Sequence, residues 1–200
     1  CFGQRPKNGA FAHIKDDERL PRVLLIGDSI SIGYTVAVRE ALANKANVHR
    51  APTNCGPTIR GLEQLDDWLG DGQWDVIHFN WGLHDLKFIN DKRQVPLEEY
   101  EKNLRTLTKR LKETGATLIW CNTTPYPEDV SPKRIPTDAV KYNEAAARVM
   151  KDLEVETNDL YTFAQERLDE IQIPSNVHFK PAGSKVLGKE VARQIETRLK

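Results

Sequence analysis

The sequence predicts an α/β fold, a three-layer αβα sandwich around a parallel sheet of about five strands. Short apolar runs alternate with amphipathic segments, and neither an internal repeat nor a linker interrupts the alternation. Short β-runs separated by helices indicate a parallel sheet, because only a crossover helix returns the chain in the same direction. In such sheets the sites lie beyond the carboxyl ends of the strands.

Apolar runs predict five strands, over residues 22–26, 47–51, 75–81, 117–121 and 155–160. Apolar residues at helical spacing predict six helices, over residues 32–43, 58–69, 96–113, 137–153, 161–171 and 181–199. The helix over 96–113 is the clearest, because it has a proline in its first turn, glutamates near its positive end and Gly115 after its end. The segment 123–136 contains four prolines and is predicted to be a loop.

The composition fits one globular domain. Of the 200 residues 39% are apolar, and 29 basic side chains balance 29 acidic ones. A protein that depends on phosphate contacts usually has a basic excess, so we expect no nucleic-acid partner. The longest aliphatic run is 23–26, far short of the roughly 20 residues that span a bilayer, so we expect no transmembrane segment. We predict a polar arm over 1–20 and a single domain over 21–200, and the oligomeric state stays open.

The cysteines give no metal or disulfide pattern. Cys1, Cys55 and Cys121 form no C-x-x-C pair, and their odd number argues against a disulfide scaffold. The sequence starts at Cys1 and not at Met, which leaves two interpretations open. One is an exported protein, either periplasmic, secreted or a lipoprotein with its lipid on Cys1. The other is a cytoplasmic protein whose given sequence starts at an arbitrary boundary.

Ser29 stands where the first strand passes into a helix. At this place a hydroxyl is exposed above the sheet, and the free N–H groups of the helix suit an oxyanion. A serine after a strand also commonly caps a helix, so this alternative stays open on Ser29 alone. Asp28 precedes it, and we expect its carboxylate to support the turn by accepting backbone N–H groups.

Four short blocks then resemble the signature of the SGNH hydrolases, a family of ester hydrolases with a flavodoxin-like sheet. Gly27-Asp28-Ser29-Ile30 resembles the GDSL block, and Gly56 lies where the family has a glycine after its second strand. Gly82-Leu83-His84-Asp85 aligns with the G-x-N-D block, and Ser175-Asn176-Val177-His178 aligns with the D-x-x-H block. The resemblance runs in order from about residue 22 to residue 199.

The resemblance implies roles for these residues. Ser29 would be the nucleophile and His178 its base, with no cofactor and no metal. The oxyanion hole would consist of the N–H groups of Ser29 and Gly56 and of a third donor. The family's Asn is His84 in this chain, and an imidazole N–H can replace an amide donor. Asn80, four residues earlier, is the second choice for that donor.

The triad Asp of the family is missing. Ser175 occupies its position, so His178 would be oriented by Ser175, by a backbone carbonyl or by a carboxylate from elsewhere in the fold. A Ser–His dyad whose tautomer is fixed by a neutral acceptor remains workable, although it would be weaker than a full triad.

These observations lead to a serine ester hydrolase as the first functional hypothesis. Short loops without a large apolar lid favour a small acyl group, such as acetyl, on a polar alcohol such as a carbohydrate. Tyr34, Trp81 and Tyr126 are candidates to line its pocket, or they pack in loops. The alternative is a binding module of the same fold, supported by the missing Asp. A flavin or nucleotide binder is disfavoured because the first turn lacks a phosphate loop.

The remaining histidines do not indicate a metal site. His78 is expected to be a buried histidine with its hydrogen bonds satisfied. A metal site built from His78, His84 and Asp85 matches no spacing known for metal ligands, so we expect no metal.

Overall fold

The computed structural model describes residues 9–199 and shows an α/β fold of the predicted class. Cys1 and the first eight residues of the predicted arm lie outside the described residues. Five strands form a parallel sheet in the order β2-β1-β3-β6-β7. They are β1 (Arg22–Ile26), β2 (Asn47–Arg50), β3 (Val76–Phe79), β6 (Thr117–Cys121) and β7 (Glu156–Asn158). A separate antiparallel hairpin consists of β4 (Phe88–Ile89) and β5 (Lys92–Arg93).

The centre of the sheet is buried on both faces. Val23 of β1 pairs with Val48 on one side and with Val76 on the other, and all three side chains are at most 2% exposed. Such strands need helices on both faces, because side chains alternate between the two faces along each strand. Next to β1, the ring of Phe79 in β3 packs edge-on against Trp120 in β6, with 5.3 Å between the centroids.

Seven α-helices within residues 9–199 supply the two outer layers. They are α1 (Ser29–Ala41), α2 (Thr58–Leu69), α3 (Leu97–Lys112), α4 (Pro136–Asp152), α5 (Leu160–Gln165), α6 (Leu168–Ile171) and α7 (Pro181–Glu196). Helices α2, α3 and α4 pack side by side, and α1 packs on α7 together with the short helices. The contact of α1 with α7 is close at Gly188, where an added Cβ would lie 2.7 Å from the Cβ of Ala37. No helix within residues 9–199 is long and apolar enough to cross a membrane.

The structure corrects several predicted boundaries. Helix α1 begins at Ser29 and not at residue 32, because Asp28 caps its first turn. The predicted helix over 161–171 is two short helices, α5 and α6. The hairpin β4–β5 was not predicted, and its turn holds Asn90 and Asp91 at positive φ, a conformation that these two residue types tolerate better than most.

The described part of the arm lies against the edge of the sheet. Residues Gly9–Phe11 form a 3₁₀ turn that contacts α1. The Asp16 carboxylate lies 2.5 Å from His49 Nε2, and the backbone N–H of Asp17 donates to Asn47 Oδ1 at 2.9 Å. Both contacts attach the arm to β2, the edge strand.

Asp85 connects the loop after β3 to the start of α2. Its Oδ1 accepts from the backbone N–H of Thr58 at 2.8 Å and from the Thr58 hydroxyl at 2.5 Å. Asn103 of α3 donates to the same hydroxyl at 3.3 Å. Asp85 is fully buried, and its Oδ2 has no hydrogen-bond partner among residues 9–199. Burial therefore raises the pKa of Asp85 from 3.8 to about 7, although the bonds from Thr58 oppose this rise.

This raised pKa predicts a pH-dependent stability. Because the folded pKa lies above the unfolded one, the stability contributed by neutral Asp85 is complete below pH 3.8 and is lost as the pH rises through 7. The linkage relation gives a loss of about 2 to 3 kcal/mol between pH 5 and pH 8. Asp85→Asn stays neutral, so the unfolding free energy of the wild type should fall by that amount relative to the variant. Urea unfolding at both pH values measures it.

The matched control is Asp71→Asn, which removes an exposed carboxylate after α2. The difference in unfolding free energy between this variant and the wild type should change little over the same range. If the difference in unfolding free energy between Asp85→Asn and the wild type stayed constant from pH 5 to pH 8, the pKa of Asp85 would not be raised.

Candidate active site

Ser29 is the first residue of α1, at the carboxyl end of β1. Asp28 precedes it as the N-cap, and its Oδ1 accepts from the backbone N–H of Ile30 at 2.9 Å. The hydroxyl of Ser31 donates to the backbone carbonyl of Asp28 at 2.9 Å. The backbone N–H of Ser29 has no acceptor among the residues that the structure describes. The turn therefore presents a serine hydroxyl next to a free donor at the positive end of a helix.

Arg50 fixes this turn from the neighbouring strand, a role that no sequence pattern predicted. Its guanidinium is buried and donates to the carbonyl of Gly27 at 3.3 Å and to the hydroxyls of Ser31 and Thr35 at 3.1 and 3.0 Å. Burial lowers the pKa of Arg50. Since a buried cation needs all its donors satisfied, these bonds hold β2 and the start of α1 in one arrangement.

His178 lies beside Ser29, although 149 residues separate the two in the chain. Its Nε2 is 2.9 Å from Ser29 Oγ, which is hydrogen-bond distance. His178 belongs to the loop between α6 and α7, and both residues lie at the carboxyl edge of the sheet. The His178 side chain is exposed and Ser29 is half-buried, so a substrate can reach both.

Asn176 orients His178. Its Oδ1 lies 2.9 Å from the backbone nitrogen of His178 and 2.7 Å from the ring Nδ1. Because a backbone N–H can only donate, the amide atom facing it is the oxygen. Nδ1 must then carry the proton that this oxygen accepts, so Nε2 of a neutral ring is unprotonated and accepts from the Ser29 hydroxyl. This is the tautomer that a general base needs.

Ser175 does not orient His178, contrary to the sequence-based proposal. Its hydroxyl donates to Asp129 Oδ2 at 2.5 Å, away from the imidazole. The residue that does so, Asn176, was missed because the family's block directs attention to position 175. A local pattern could have indicated Asn176, because an Asn side chain often accepts a hydrogen bond from the backbone two residues further on, which here is that of His178.

His84 has its Nδ1 occupied by Lys87. The Lys87 ammonium lies 3.3 Å from Nδ1, and because an ammonium can only donate, Nδ1 is the acceptor. Burial lowers the pKa of His84, Asp28 opposes this, and Lys87, Arg134 and Arg60 lower it further. The ring is therefore neutral at pH 7 and carries its proton on Nε2, which has no partner among residues 9–199.

The two other candidate oxyanion donors are engaged within the protein. The N–H of Gly56, which has a φ of +59°, donates to Asn54 Oδ1 at 2.9 Å. Asn80 Nδ2 donates to the carbonyl of Cys121 at 2.7 Å and so joins the ends of β3 and β6. Of the two alternatives for the third donor, His84 has its one N–H free, whereas one of the two N–H groups of the Asn80 amide is already bound.

Other reactive side chains are buried and neutral. Burial raises the pKa of Cys55 to about 12 and that of Cys121 even further, so both remain thiols. Burial lowers the pKa of His78 to about 3. Its Nε2 lies 3.2 Å from Asn158 Nδ2, but its Nδ1 has no partner among the described residues, so the expected full satisfaction is wrong. Within residues 9–199 no three His, Cys, Asp or Glu side chains are grouped to hold a metal ion.

Two cavities are lined by sequence neighbours of Ser29 and His178. One has a volume of about 10 Å³ and is lined by Asp28, Ile30, Tyr34, Leu83 and Thr123, among others. It lies next to Ser29 in sequence and has room for one water molecule. The second is an open cleft of about 500 Å³ between residues 125–128 and 172–175.

The aromatic candidates for the pocket separate accordingly. Tyr34 lines the small cavity and Tyr126 lines the open cleft. Trp81 is fully buried in the core and lines neither, which favours the packing alternative for this residue.

Comparison with known proteins agrees with this fold. The sequence model of the GDSL-like Lipase/Acylhydrolase family matches residues 25–186. No curated protein sequence matches the chain significantly. A lipase/acylhydrolase from Enterococcus faecalis has a similar structure, with a TM-score of 0.77 and 23% identity over 90% of this chain and 97% of that one.

Two further structures with similar folds are named as esterases. The acetyl xylan esterase AlAXEase gives a TM-score of 0.74 at 15% identity, over 87% of this chain and 99% of that one. Axe2, an acetylxylan esterase from Geobacillus stearothermophilus, gives a TM-score of 0.73 at 18% identity, over 88% of this chain and 94% of that one. These likenesses show the fold, and the match of the family model covers most of the chain. The chain belongs to the GDSL-like lipase/acylhydrolase family.

Proposed function

We propose that the protein is a serine ester hydrolase that removes a small acyl group, most simply acetyl, from a polar alcohol such as a carbohydrate. The observation that carries the proposal is the 2.9 Å contact between Ser29 Oγ and an imidazole nitrogen of His178 whose tautomer makes it an acceptor. A nucleophile, a base and an orienting group in series are the parts that acyl transfer requires.

In the first half of the reaction Ser29 Oγ attacks the ester carbonyl. His178 Nε2 takes the hydroxyl proton as the new C–O bond forms, and the resulting imidazolium keeps its Nδ1–H bond to Asn176. The tetrahedral intermediate collapses with cleavage of the bond to the alcohol, and His178 returns the proton to the leaving oxygen. This leaves an acyl group on Ser29.

In the second half a water molecule replaces the alcohol. His178 Nε2 takes a proton from this water as its oxygen attacks the acyl carbonyl. The second tetrahedral intermediate then releases the carboxylic acid, and the proton returns from His178 to Ser29 Oγ. No external oxidant, reductant or cofactor enters this balance.

The oxyanion of both intermediates accepts from the N–H of Ser29 and from Nε2–H of His84. In the proposed arrangement it also displaces the Asn54 amide oxygen as acceptor of the Gly56 N–H. Two features support His84 in this role: Lys87 directs its proton to Nε2, and the ring is neutral. A neutral imidazole donates without competing with His178 for the proton.

The cavities support a small acyl group and a larger alcohol. The 10 Å³ cavity next to Ser29 has room for a methyl group but not for a long chain. The 500 Å³ cleft beside the His178 loop has room for a sugar, and Tyr126 and Tyr161 line it. Two of the structural neighbours are named acetylxylan esterases, which agrees with an acetylated carbohydrate.

A binding module that has lost catalysis is the competing function. Its support was the missing family Asp, and this support weakens because Asn176 supplies an acceptor at His178 Nδ1. A binding module has no use for a serine hydroxyl held against an unprotonated imidazole nitrogen.

Ser29 should be the site of covalent labelling. A serine-directed phosphonate should modify Ser29 of the wild type, as peptide mass spectrometry would show. Ser29→Ala should lower turnover of a short-chain aryl ester by at least about a thousandfold, because no other group can form the acyl-enzyme. Ser184→Ala is the matched control, because it removes a half-buried serine of α7 that lines neither cavity, and it should label and turn over as the wild type. Normal turnover by Ser29→Ala would refute the proposed mechanism.

Asn176 should act through its oxygen. Asn176→Leu keeps the size of the side chain but removes the acceptor, so the ring loses its fixed tautomer and kcat/KM should fall about 10- to 100-fold. Asn176→Asp keeps both hydrogen bonds, adds a charge that favours the imidazolium, and should match or exceed the wild type. Steady-state kinetics with one aryl acetate measure both. If Asn176→Leu were as active as the wild type, another group would orient His178.

His84 should stabilise the transition state and not the bound ester. His84→Ala should lower kcat by about 10² to 10³ with a smaller change in KM, as loss of one oxyanion donor does. His84→Asn should restore much of the activity, because Asn offers the amide donor that the family has at this position. Undiminished kcat in His84→Ala would leave Ser29, Gly56 or Asn80 as the donors and His84 as a structural residue.

A further inference from the structure

Three cationic side chains flank the proposed oxyanion donors. Lys87 Nζ contacts His84 Nδ1 at 3.3 Å, and Arg134 Nε donates to the carbonyl of the adjacent Leu83 at 3.0 Å. On the other side, Arg60 Nη1 donates to the carbonyl of Asn54 at 3.1 Å, beside Gly56. Lys87, Arg134 and Arg60 are called the cation cluster below.

The cation cluster is held by neutral acceptors. Arg134 is only 5% exposed, and a backbone carbonyl accepts from its Nη1 as well. Its Nη2 has no protein acceptor among residues 9–199. None of the three cations has a carboxylate oxygen within 4.0 Å in that range. Since backbone carbonyls and an imidazole do not neutralise charge, the three positive charges lack an ion-pair partner in that range, and only the more distant Asp85 and Asp28 attract Lys87 and Arg134.

The nearby carboxylates are buried and face the protein. Asp28 is 2% exposed and caps α1, and Asp85 is fully buried against Thr58. Burial lowers the pKa of Lys87, and the charges of Arg134 and Arg60 lower it further, so the members of the cluster repel one another. An anion placed among them would relieve this repulsion.

We propose that the cation cluster recognises a carboxylate on the alcohol part of the substrate, so that the protein prefers acetyl esters of acidic alcohols, such as sugar acids, to those of neutral ones. The proposal rests on the proposed ester hydrolase function. The negative charge is assigned to the alcohol because the small cavity beside Ser29 limits the acyl group. Exposed Arg60 and half-buried Lys87 are accessible from solvent, and Arg134 supplies charge from behind them.

The test compares 4-acetoxybenzoate with 4-acetoxybenzamide, two acetyl esters of the same shape that differ in charge. Each kcat/KM is divided by the hydroxide-catalysed rate of the same compound, which corrects for the leaving group. The wild type should prefer the anionic ester by about tenfold or more at low salt, and added NaCl should reduce this preference because solvent-exposed charges are screened.

Variants that each remove one positive charge show whether the cation cluster causes the preference for the anionic ester. Arg60→Gln and Lys87→Gln should each lower the ratio of the two corrected values about threefold, the effect expected of one partly solvated charge. A loss of kcat/KM that affects both esters equally does not change this ratio. Lys109→Gln is the matched control: it removes an exposed, unpaired charge near the carboxyl end of α3, which is remote from the site, and the ratio should stay at the wild-type value.

The outcomes separate this proposal from the function on which it rests. Turnover of the neutral ester together with a ratio near one would overturn the substrate preference and leave the hydrolase intact. A ratio that Arg60→Gln and Lys87→Gln leave unchanged would also overturn it, because the charge would be recognised elsewhere. Failure to hydrolyse either ester would overturn the proposed function and this proposal together.

Discussion

The parallel direction of all five strands in the main sheet is the constraint on which the site depends. Every strand ends at the same edge, so the segments after β1, β2, β3 and β6 and the loop before α7 converge there. Ser29 and His178 meet at 2.9 Å for this reason. The loops are also bound to one another: Asp85 holds the start of α2, and Asn80 holds the end of β6. The edge therefore behaves as one unit, which preorganised catalysis requires.

A neutral amide, one residue after the position of the family's carboxylate, makes the contact with the imidazole. Asn176 Oδ1 accepts from both the backbone and the ring of His178, and the backbone contact determines which end of the amide faces the imidazole. The tautomer is therefore as well defined as in a triad. What the amide does not supply is a negative charge next to the imidazolium, so the arrangement orients the base fully but stabilises its charged form less.

The charged groups around the site differ in whether the protein supplies their partners. Arg50 is buried behind the Ser29 turn and donates to groups of the protein. Asp85 is buried beside the start of α2 and is held there by Thr58 through its Oδ1 alone. The cation cluster instead places positive charges beside the oxyanion donors without an ion pair in the part of the chain that the structure describes. Buried polar groups with fixed partners make the site rigid. Any other arrangement of the loops would leave a buried donor or acceptor without a hydrogen bond, and this costs free energy. Groups without such partners remain for the substrate.

The sequence by itself determined the fold class, the five strands and the places of Ser29 and His178, because hydrophobic periodicity and the motif blocks are local signals. The resemblance pointed to Gly56 and His84 by alignment. Only the tertiary structure decided that Asn176 and not Ser175 contacts the base. It also decided that Lys87 sets the tautomer of His84. The support of the loops by Arg50 and Asp85 is likewise visible only there. These contacts depend on side-chain directions and on pairs far apart in the chain, and no local pattern encodes either of them.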